Sequence, residues 1–309
     1  MTLREFVLGD IPAIAAIRNA SIRISPDFYS MTVDRFRFDF YDEDVPMTSR
    51  IMIAEEDGRT LGFYHLYTDE NQLARGRVNL DAIHVHPDAR GKGAGAALLE
   101  SACDTAKGWK GGYVSTAIPE GDTGSLAFLE RHGFSIARIF FKMRLSELKA
   151  APEPVIPEGL HLRPYTPGSD EDAFVQVFNT CFEGHWDFTP LTPQEAAAWN
   201  RRPSFNPKGC FLLFDGPRLI GFTTILFDPE RAAQTGEAVA RIFEMGVLPE
   251  YRRRGLGYQL LLVGVRYARE RGFQAIDLVT DSQNAPAVEM YEKLGFQDKR
   301  ASLVLHRSL

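Results

Sequence analysis

Arg252-Arg253-Arg254-Gly255-Leu256-Gly257 repeats, 162 positions further on, the turn Arg90-Gly91-Lys92-Gly93-Ala94-Gly95. Both copies read Arg-x-x-Gly-x-Gly. Each follows an apolar stretch ending in Val-x-Pro, Val85-His86-Pro87 in the first and Val247-Leu248-Pro249 in the second, and each opens a helical pattern. A strand that runs through a glycine-rich turn into a helix leaves unpaired N–H groups at the positive end of the helix dipole. Such an end suits a phosphate or pyrophosphate. The glycines let backbone approach the anion, and basic side chains add charge. One such turn is weak evidence. Two at a fixed offset make the chain a duplication built around an anion-binding turn.

The repeat reaches well beyond the turn. At the same offset Leu98-Leu99 matches Leu260-Leu261, Ala106 matches Ala268, and Gly133-Phe134 matches Gly295-Phe296. Upstream the offset is 159, pairing Leu3-Arg4 with Leu162-Arg163 and Gly62-Phe63 with Gly221-Phe222. The three extra residues of the second copy are expected in a hairpin loop around Asp228 to Glu237. Between the copies, Pro152, Pro154 and Pro157 stiffen a short linker. The expected division is therefore residues 1–148, a linker 149–159, and residues 160–309.

Each half carries the same coarse pattern. A short strand (Leu3 to Val7; Leu160 to Tyr165) leads into a helix with Asp10 or Asp170 as expected cap. A second helix follows (Thr32 to Tyr41; Pro193 to Asn200). Two strands then join through Asp57-Gly58 or Asp215-Gly216-Pro217, which is hairpin chemistry. After the Arg-x-x-Gly-x-Gly turn, Leu99, Ala102, Cys103 and Ala106 stand at i, i+3, i+4 and i+7, as do Leu261, Gly264, Val265 and Ala268. Both helices bury the same face, and Cys103 reads as a small core residue. Arg138 to Leu145 and Ser302 to His306 are expected to close each half. The fold class is α/β: two tandem domains, each a mixed, mostly antiparallel sheet with helices on both faces.

Composition narrows the function. The chain has 309 residues, 44% of them hydrophobic, and a net charge of -6, so no global basic field recruits nucleic acid. Basic turns inside an acidic protein favour a small anionic ligand. Three scattered cysteines without a CxxC pair point to a reducing compartment and to no metal site. With no signal-peptide pattern at Met1 and no apolar run of membrane-spanning length, the expected location is the cytoplasm.

On these motifs the chain resembles the GNAT family of N-acetyltransferases, whose acyl-CoA signature is a strand, Arg/Gln-x-x-Gly-x-Gly/Ala and a helix. The second half also carries a later family signature, Asn284-Ala285-Pro286-Ala287-Val288-Glu289-Met290-Tyr291-Glu292-Lys293-Leu294-Gly295-Phe296. In architecture the pair of domains is similar to the mycothiol-synthase type of tandem acetyltransferase. The resemblance implies acetyl-CoA as co-substrate. Its pantetheine arm would pair with backbone of Met245, Gly246 and Val247. Its pyrophosphate would be wrapped by Arg252, Arg253, Arg254, Gly255, Leu256, Gly257 and Tyr258, with Asn284 touching the arm. The first half implies the same for Ile83, His84 and Val85 with Arg90, Gly91, Lys92, Gly93, Ala94 and Gly95.

The resemblance also implies two catalytic groups. Tyr291 occupies the position of the phenol that protonates the departing thiolate, although spacing alone reads it as a packing aromatic. Glu244 stands where family members place the base that takes a proton from the attacking ammonium. It reads equally well as a strand carboxylate at the sheet edge or paired with Arg241. The first half has Ala82 and Leu129 at these positions and Asp122 in place of Asn284, so it is expected to be catalytically degenerate. His84 and His86 in its strand could substitute as a base, although a lone strand histidine is more often structural.

For the acceptor, Glu183, His185, Trp186 and Asp187 mix acids with aromatics and suit an ammonium ligand, or else form an ordinary interhelical loop. The reading is an N-acetyltransferase acting by direct attack of a small-molecule amine, without nucleic acid or membrane as partner. Its rivals are a peptide or protein N-acetyltransferase and a non-catalytic CoA-binding module. Oligomeric state is left open by the sequence.

Overall fold

A computed structural model describes residues 1–22, 29–40 and 48–309. The chain forms two compact units. Unit 1 comprises Met1–Ile139 with Ser302–Leu309, and unit 2 comprises Phe140–Ala301. In chain order unit 1 contains β1 (Thr2–Glu5), α1 (Ile11–Ser21), α2 (Val33–Phe40), β2 (Thr48–Glu56), β3 (Arg59–Thr68), α3 (Glu70–Ala74), β4 (Arg77–Val85), α4 (Ala94–Gly108), β5 (Tyr113–Pro119) and α5 (Thr123–Arg131). Tyr41, the expected end of the second helix, lies outside the described residues. After β6 (Ser135–Leu145), unit 2 contains β7 (Leu160–Pro164), α6 (Glu171–Phe182), α7 (Pro193–Trp199), β8 (Phe205–Asp215), β9 (Arg218–Phe227), α8 (Pro229–Thr235), β10 (Val239–Val247), α9 (Leu256–Glu270), β11 (Ala275–Asp281) and α10 (Ala285–Leu294). β12 (Gln297–Ser308) ends the chain. Among the described residues no helix is long and apolar enough to cross a membrane.

The sheet of unit 1 runs β1-β2-β3-β4-β5-β12, and that of unit 2 runs β6-β11-β10-β9-β8-β7. The described pairings within each unit are antiparallel except β4 with β5 and β10 with β11. Helices cover both faces. In unit 1, Ile11, Ile14 and Phe36 pack on Ile53 and Phe63 from one side, and Leu98, Leu99 and Ala102 pack on Tyr64, Leu66 and Leu80 from the other. In unit 2, Phe174 and Phe178 face Leu212 and Phe222, while Leu261, Val265 and Ala268 face Ile225, Ile242 and Ile276. All three cysteines are free and buried.

Three local expectations are corrected. The terminal strands do not close their own halves. Phe140–Leu145 of β6 pairs with β11 in unit 2, and Ser302–Ser308 of β12 pairs with β5 in unit 1. Period-2 alternation says which face of a strand is buried but not which edge it joins. Leu305→Ala, at a site with no solvent exposure, should cost about 2–5 kcal/mol. Hydrogen exchange should then show lost protection in β5, while β11 keeps its own.

The extra residues of the second copy form no hairpin loop. They lengthen a short helix, since residues 69–76 enclose α3 where residues 228–238 enclose α8. Asp228 caps α8 through Arg231 N–H at 3.0 Å. Asp10 and Asp170 do stand at the N-caps of α1 and α6, as expected, but neither side chain accepts from a donor of the helix it enters. Each grips an arginine from the first strand, Arg4 through two bonds of 2.8 Å and Arg163 through bonds of 2.6 and 2.7 Å. Each also accepts a backbone N–H, from Val7 or Thr166. A bidentate guanidinium outcompetes a cap because both charges gain.

Candidate active site

The site begins where two parallel strands part. β10 pairs with β11 only from Val239 against Ala275 to Ile242 against Leu278. Phe243 then bulges out of the ladder, and Glu244 to Val247 pair with β9 alone. The other edge of Met245, Gly246 and Val247 is left facing a wedge between the strands, with peptide groups available for an extended ligand. Unit 1 repeats the device. β4 leaves β5 after Asn79, and Asp81 is the bulged residue before Ile83, His84 and Val85.

At the end of β10 the chain enters the Arg-x-x-Gly-x-Gly turn. Gly255, the N-cap of α9, has φ 75° and supplies no side-chain cap, so the first N–H groups of the helix point outward unsatisfied. Gly93 plays this part for α4 at φ 89°. Arg253 is left-handed at φ 64°, where unit 1 has Gly91 at φ 75°. Gly257 is the informative glycine. Its φ is ordinary, and a Cβ there would meet nothing within 4 Å. Packing within the chain gives no reason for a glycine there, whereas a diphosphate lying against these N–H groups does. The uncapped turn and this open cradle fit the pyrophosphate of a CoA thioester.

The arginines of the turn divide their tasks. Arg252 donates to Val247 O at 3.0 Å and to Cys181 O at 2.8 Å, which clips the turn to the strand end and to α6. Arg90 makes the same clip in unit 1 with Val85 O and Ser21 O. Arg254 donates to Glu250 O and lies over the Tyr251 ring. Arg253 is exposed.

Tyr291, far from Glu244 in sequence, stands within the field of the Glu244 charge. Both keep only partial solvent access. Desolvation pushes the Glu244 carboxyl up to about 7, partly offset by the charge of Arg241. Desolvation, with the Glu244 charge second, pushes the Tyr291 phenol up to about 12. Near neutral pH the carboxyl is therefore divided between its two forms, and the phenol holds its proton. Asn284 caps α10 by accepting from Ala287 N–H. Glu244 makes no ion pair with Arg241 within salt-bridge distance among the described residues, so that reading of the carboxylate does not describe it.

On the acceptor side, Glu183 ends α6, and Gly184 and Asp187 turn the chain at φ 80° and 55°. His185 is lowered by desolvation and then by the charge of Arg252, with Asp281 opposing. Glu183 is exposed, while Trp186 and Asp187 are half-buried. Trp186 lies against Phe140, ring centroids 6.1 Å apart. Sequence reasoning missed Phe243 and Trp199, which stack edge to face at 5.4 Å, and the position of Arg241 over the Phe243 ring at 5.6 Å. The bulge that aims these groups together leaves no mark in the pattern of the strand.

Unit 1 differs at each matching position. Leu129, in place of Tyr291, is core. Asp122 caps α5 through Ser125 N–H and Oγ at 3.0 and 2.7 Å. Gly246 is tight against α6, since a Cβ would come within 2.9 Å of the Cys181 Cβ. In its place unit 1 has His84, whose Nδ1 meets Ser21 Oγ at 2.6 Å. Burial lowers His84 to about 4, so the ring is neutral at physiological pH. His86 accepts from Asp88 N–H as a cap.

Comparison with known proteins agrees with this geometry. A profile described as the acetyltransferase (GNAT) family matches residues 15–134 and 172–296. A mycothiol acetyltransferase of Pseudarthrobacter chlorophenolicus is 36% identical over 221 residues, which are 69% of this chain and 65% of that protein. One from Thermomonospora curvata is 32% identical over 253 residues, 80% of this chain and 79% of that protein. The chain thus spans just under two thirds of the first relative and more of the second. A tandem GNAT protein from the clavulanic acid biosynthesis pathway superposes with a TM-score of 0.76 at 16% identity, covering 99% of this chain and 98% of that one, and so shares the fold. The chain belongs to the acetyltransferase (GNAT) family and carries two of its domains in tandem.

Proposed function

We propose that unit 2 moves an acetyl group from acetyl-CoA to the primary amine of a small molecule by direct attack. The observation that carries this is the pair Glu244 and Tyr291, whose environments push one carboxyl to about 7 and one phenol to about 12 beside the open wedge. In this reading the edge of Met245 to Val247 pairs with the pantetheine arm. The N–H groups from Gly255 to Tyr258 and the Arg253 side chain hold the diphosphate, with Asn284 alongside. Glu183, His185 and Asp187 receive the acceptor. The relatives named mycothiol acetyltransferase support a small-molecule acceptor, and the cytoplasm is the proposed setting.

An ammonium cannot attack a thioester. Glu244, as carboxylate, takes one proton, and the neutral nitrogen adds to the carbonyl carbon. The C–N bond forms, the C–S bond breaks, and the departing thiolate takes the phenol proton of Tyr291. The nitrogen sheds its second proton as the amide forms, which restores Tyr291, and the proton on Glu244 returns to water. Unit 1 has neither group at the matching positions. It is proposed to be catalytically degenerate, giving structural support or holding a second CoA.

The test is a pH-rate profile. At limiting amine the parent rate should rise with pH through about 7, the value Glu244 is pushed to. Glu244→Gln keeps the size and removes the base. The rate should fall by about 10²-fold at low pH and recover in part at high pH, where the amine is already neutral. A profile that overlays the parent across the range removes Glu244 from the mechanism.

A further inference from the structure

Unit 1 brings together three side chains that the reading of unit 2 does not use. Ser49 Oγ stands 3.0 Å from His65 Nε2, and Asp81 Oδ2 stands 3.8 Å from His65 Nδ1. They come from three neighbouring strands, β2, β3 and β4, and the register explains their meeting. His65 pairs with Ile51 on one side and with Ala82 on the other. Ser49 lies two residues before Ile51 and so shares the face of His65. Asp81 is the extra residue of the β4 bulge, and a bulge re-aims the side chain it carries. The Tyr67 ring stacks on the imidazole, centroids 5.4 Å apart, and holds its plane. Unit 2 has Thr224 opposite Glu244 and Phe243 at its own bulge, so this constellation belongs to unit 1 alone.

A histidine with a hydroxyl on one ring nitrogen and a carboxylate near the other is the arrangement that activates a serine. The ring takes the hydroxyl proton, and the carboxylate stabilises the imidazolium that results. His65 is buried, whereas Ser49 and Asp81 are exposed. The base is thus shielded while the strand that carries the nucleophile is open. The contact of 3.8 Å is an ion-pair distance, and catalytic contacts of this kind tighten when the reacting group arrives.

We propose that unit 1, degenerate as an amine acetyltransferase, is a second acyl-transfer site of a different kind. Ser49 is its nucleophile, His65 its base, Asp81 its positioning residue, and its substrate is an activated acyl group, an ester or a thioester. Ser49 Oγ adds to the acyl carbonyl carbon while His65 Nε2 takes the hydroxyl proton. The bond to the leaving oxygen or sulfur breaks, and the leaving group carries that proton away. Water then adds to the acyl-serine and gives one proton to His65. The ester bond breaks, the acid departs, and the proton returns to Ser49 Oγ.

A fluorophosphonate, which phosphonylates activated serines, tests this on the full chain. Mass spectrometry of the digested protein should find a label on Ser49 that is absent in Ser49→Ala. His65→Gln should slow the labelling by about 10²-fold or more. Asp81→Asn, at an exposed position where the fold is not at stake, should slow it at least about 10-fold. Without any amine present, p-nitrophenol released from p-nitrophenyl acetate marks an ester as substrate, and free thiol released from acetyl-CoA marks a thioester. Either release should vanish in Ser49→Ala and persist in Glu244→Gln, which separates it from the chemistry of unit 2. Failure of amine acetylation would leave every one of these readouts unchanged. An unlabelled Ser49, a label that forms equally fast in Asp81→Asn, or a labelled Ser49 that cleaves neither donor overturns the proposal.

Discussion

Tyr291→Phe is expected to lower kcat by about 10²- to 10³-fold while leaving acetyl-CoA affinity and folding intact. The ring itself packs near Phe296, centroids 5.9 Å apart, and borders the core formed by Leu261, Val265 and Ile276. Phenylalanine preserves that packing and removes one oxygen. The phenol is pushed up to about 12, so it stays protonated at any practical assay pH and contributes no alkaline limb near neutrality. Its loss should therefore scale the rate down evenly across pH, unlike that of Glu244. The leaving group provides the sharper check. An acetyl thioester of an aromatic thiol departs as a stable thiolate and needs no proton, so Tyr291→Phe should lose little with that donor. A loss equal for both donors would deny Tyr291 the acid role. In unit 1, Leu129→Ala should cost about 2–5 kcal/mol of stability and leave kcat untouched, because Leu129 is only core.

Gly257→Val is expected to weaken acetyl-CoA binding by at least about 10²-fold without destabilising the protein. The chain itself offers the new side chain open space, with nothing within 4 Å of the Cβ and a backbone angle that any residue adopts. Valine is also a better helix residue than glycine, so the melting temperature should hold or rise slightly. The two γ-carbons would stand over the uncapped N–H groups of α9, where the diphosphate is proposed to lie. Losing two charge-assisted hydrogen bonds of about 1.5 kcal/mol or more each gives the stated factor. Gly255→Val is a poorer probe, because φ 75° adds backbone strain to any effect on binding. The matching position in unit 1 is more closely packed, since a Cβ at Gly95 would lie in ordinary contact with Phe128 at 3.5 Å and Val85 at 3.7 Å, so Gly257 is the cleaner probe. Calorimetry with acetyl-CoA decides the matter: an affinity for Gly257→Val within about 3-fold of the parent places the diphosphate elsewhere.

The sequence by itself determined what depends on neighbours within a few residues. The duplication, the two glycine turns and the buried faces of α4 and α9 were legible because a helix repeats every 3.6 residues and a turn declares itself through glycine. Leu99, Ala102, Cys103 and Ala106 are all buried, as that spacing requires. Tertiary structure alone decided matters of competition between distant groups. Asp10 and Asp170 read as caps and do stand at the N-caps of α1 and α6, yet their side chains hold Arg4 and Arg163 instead of helix donors because a paired charge outweighs a single backbone donor. Ser302–Ser308 joins β5, and no alternation pattern names the edge a strand will choose. The bulge at Phe243 shifts the register of Glu244 against β9 by one residue, and a one-residue shift in pairing is invisible in the strand that carries it. Glu244 and Tyr291 were named from motifs, but their division into a carboxyl near 7 and a phenol near 12 is a property of burial first and of neighbouring charge second, Arg241 acting on Glu244 and Glu244 on Tyr291. Burial exists only once the chain has folded, and that is why the chemistry of these two residues was set by the tertiary structure and not by the sequence around them.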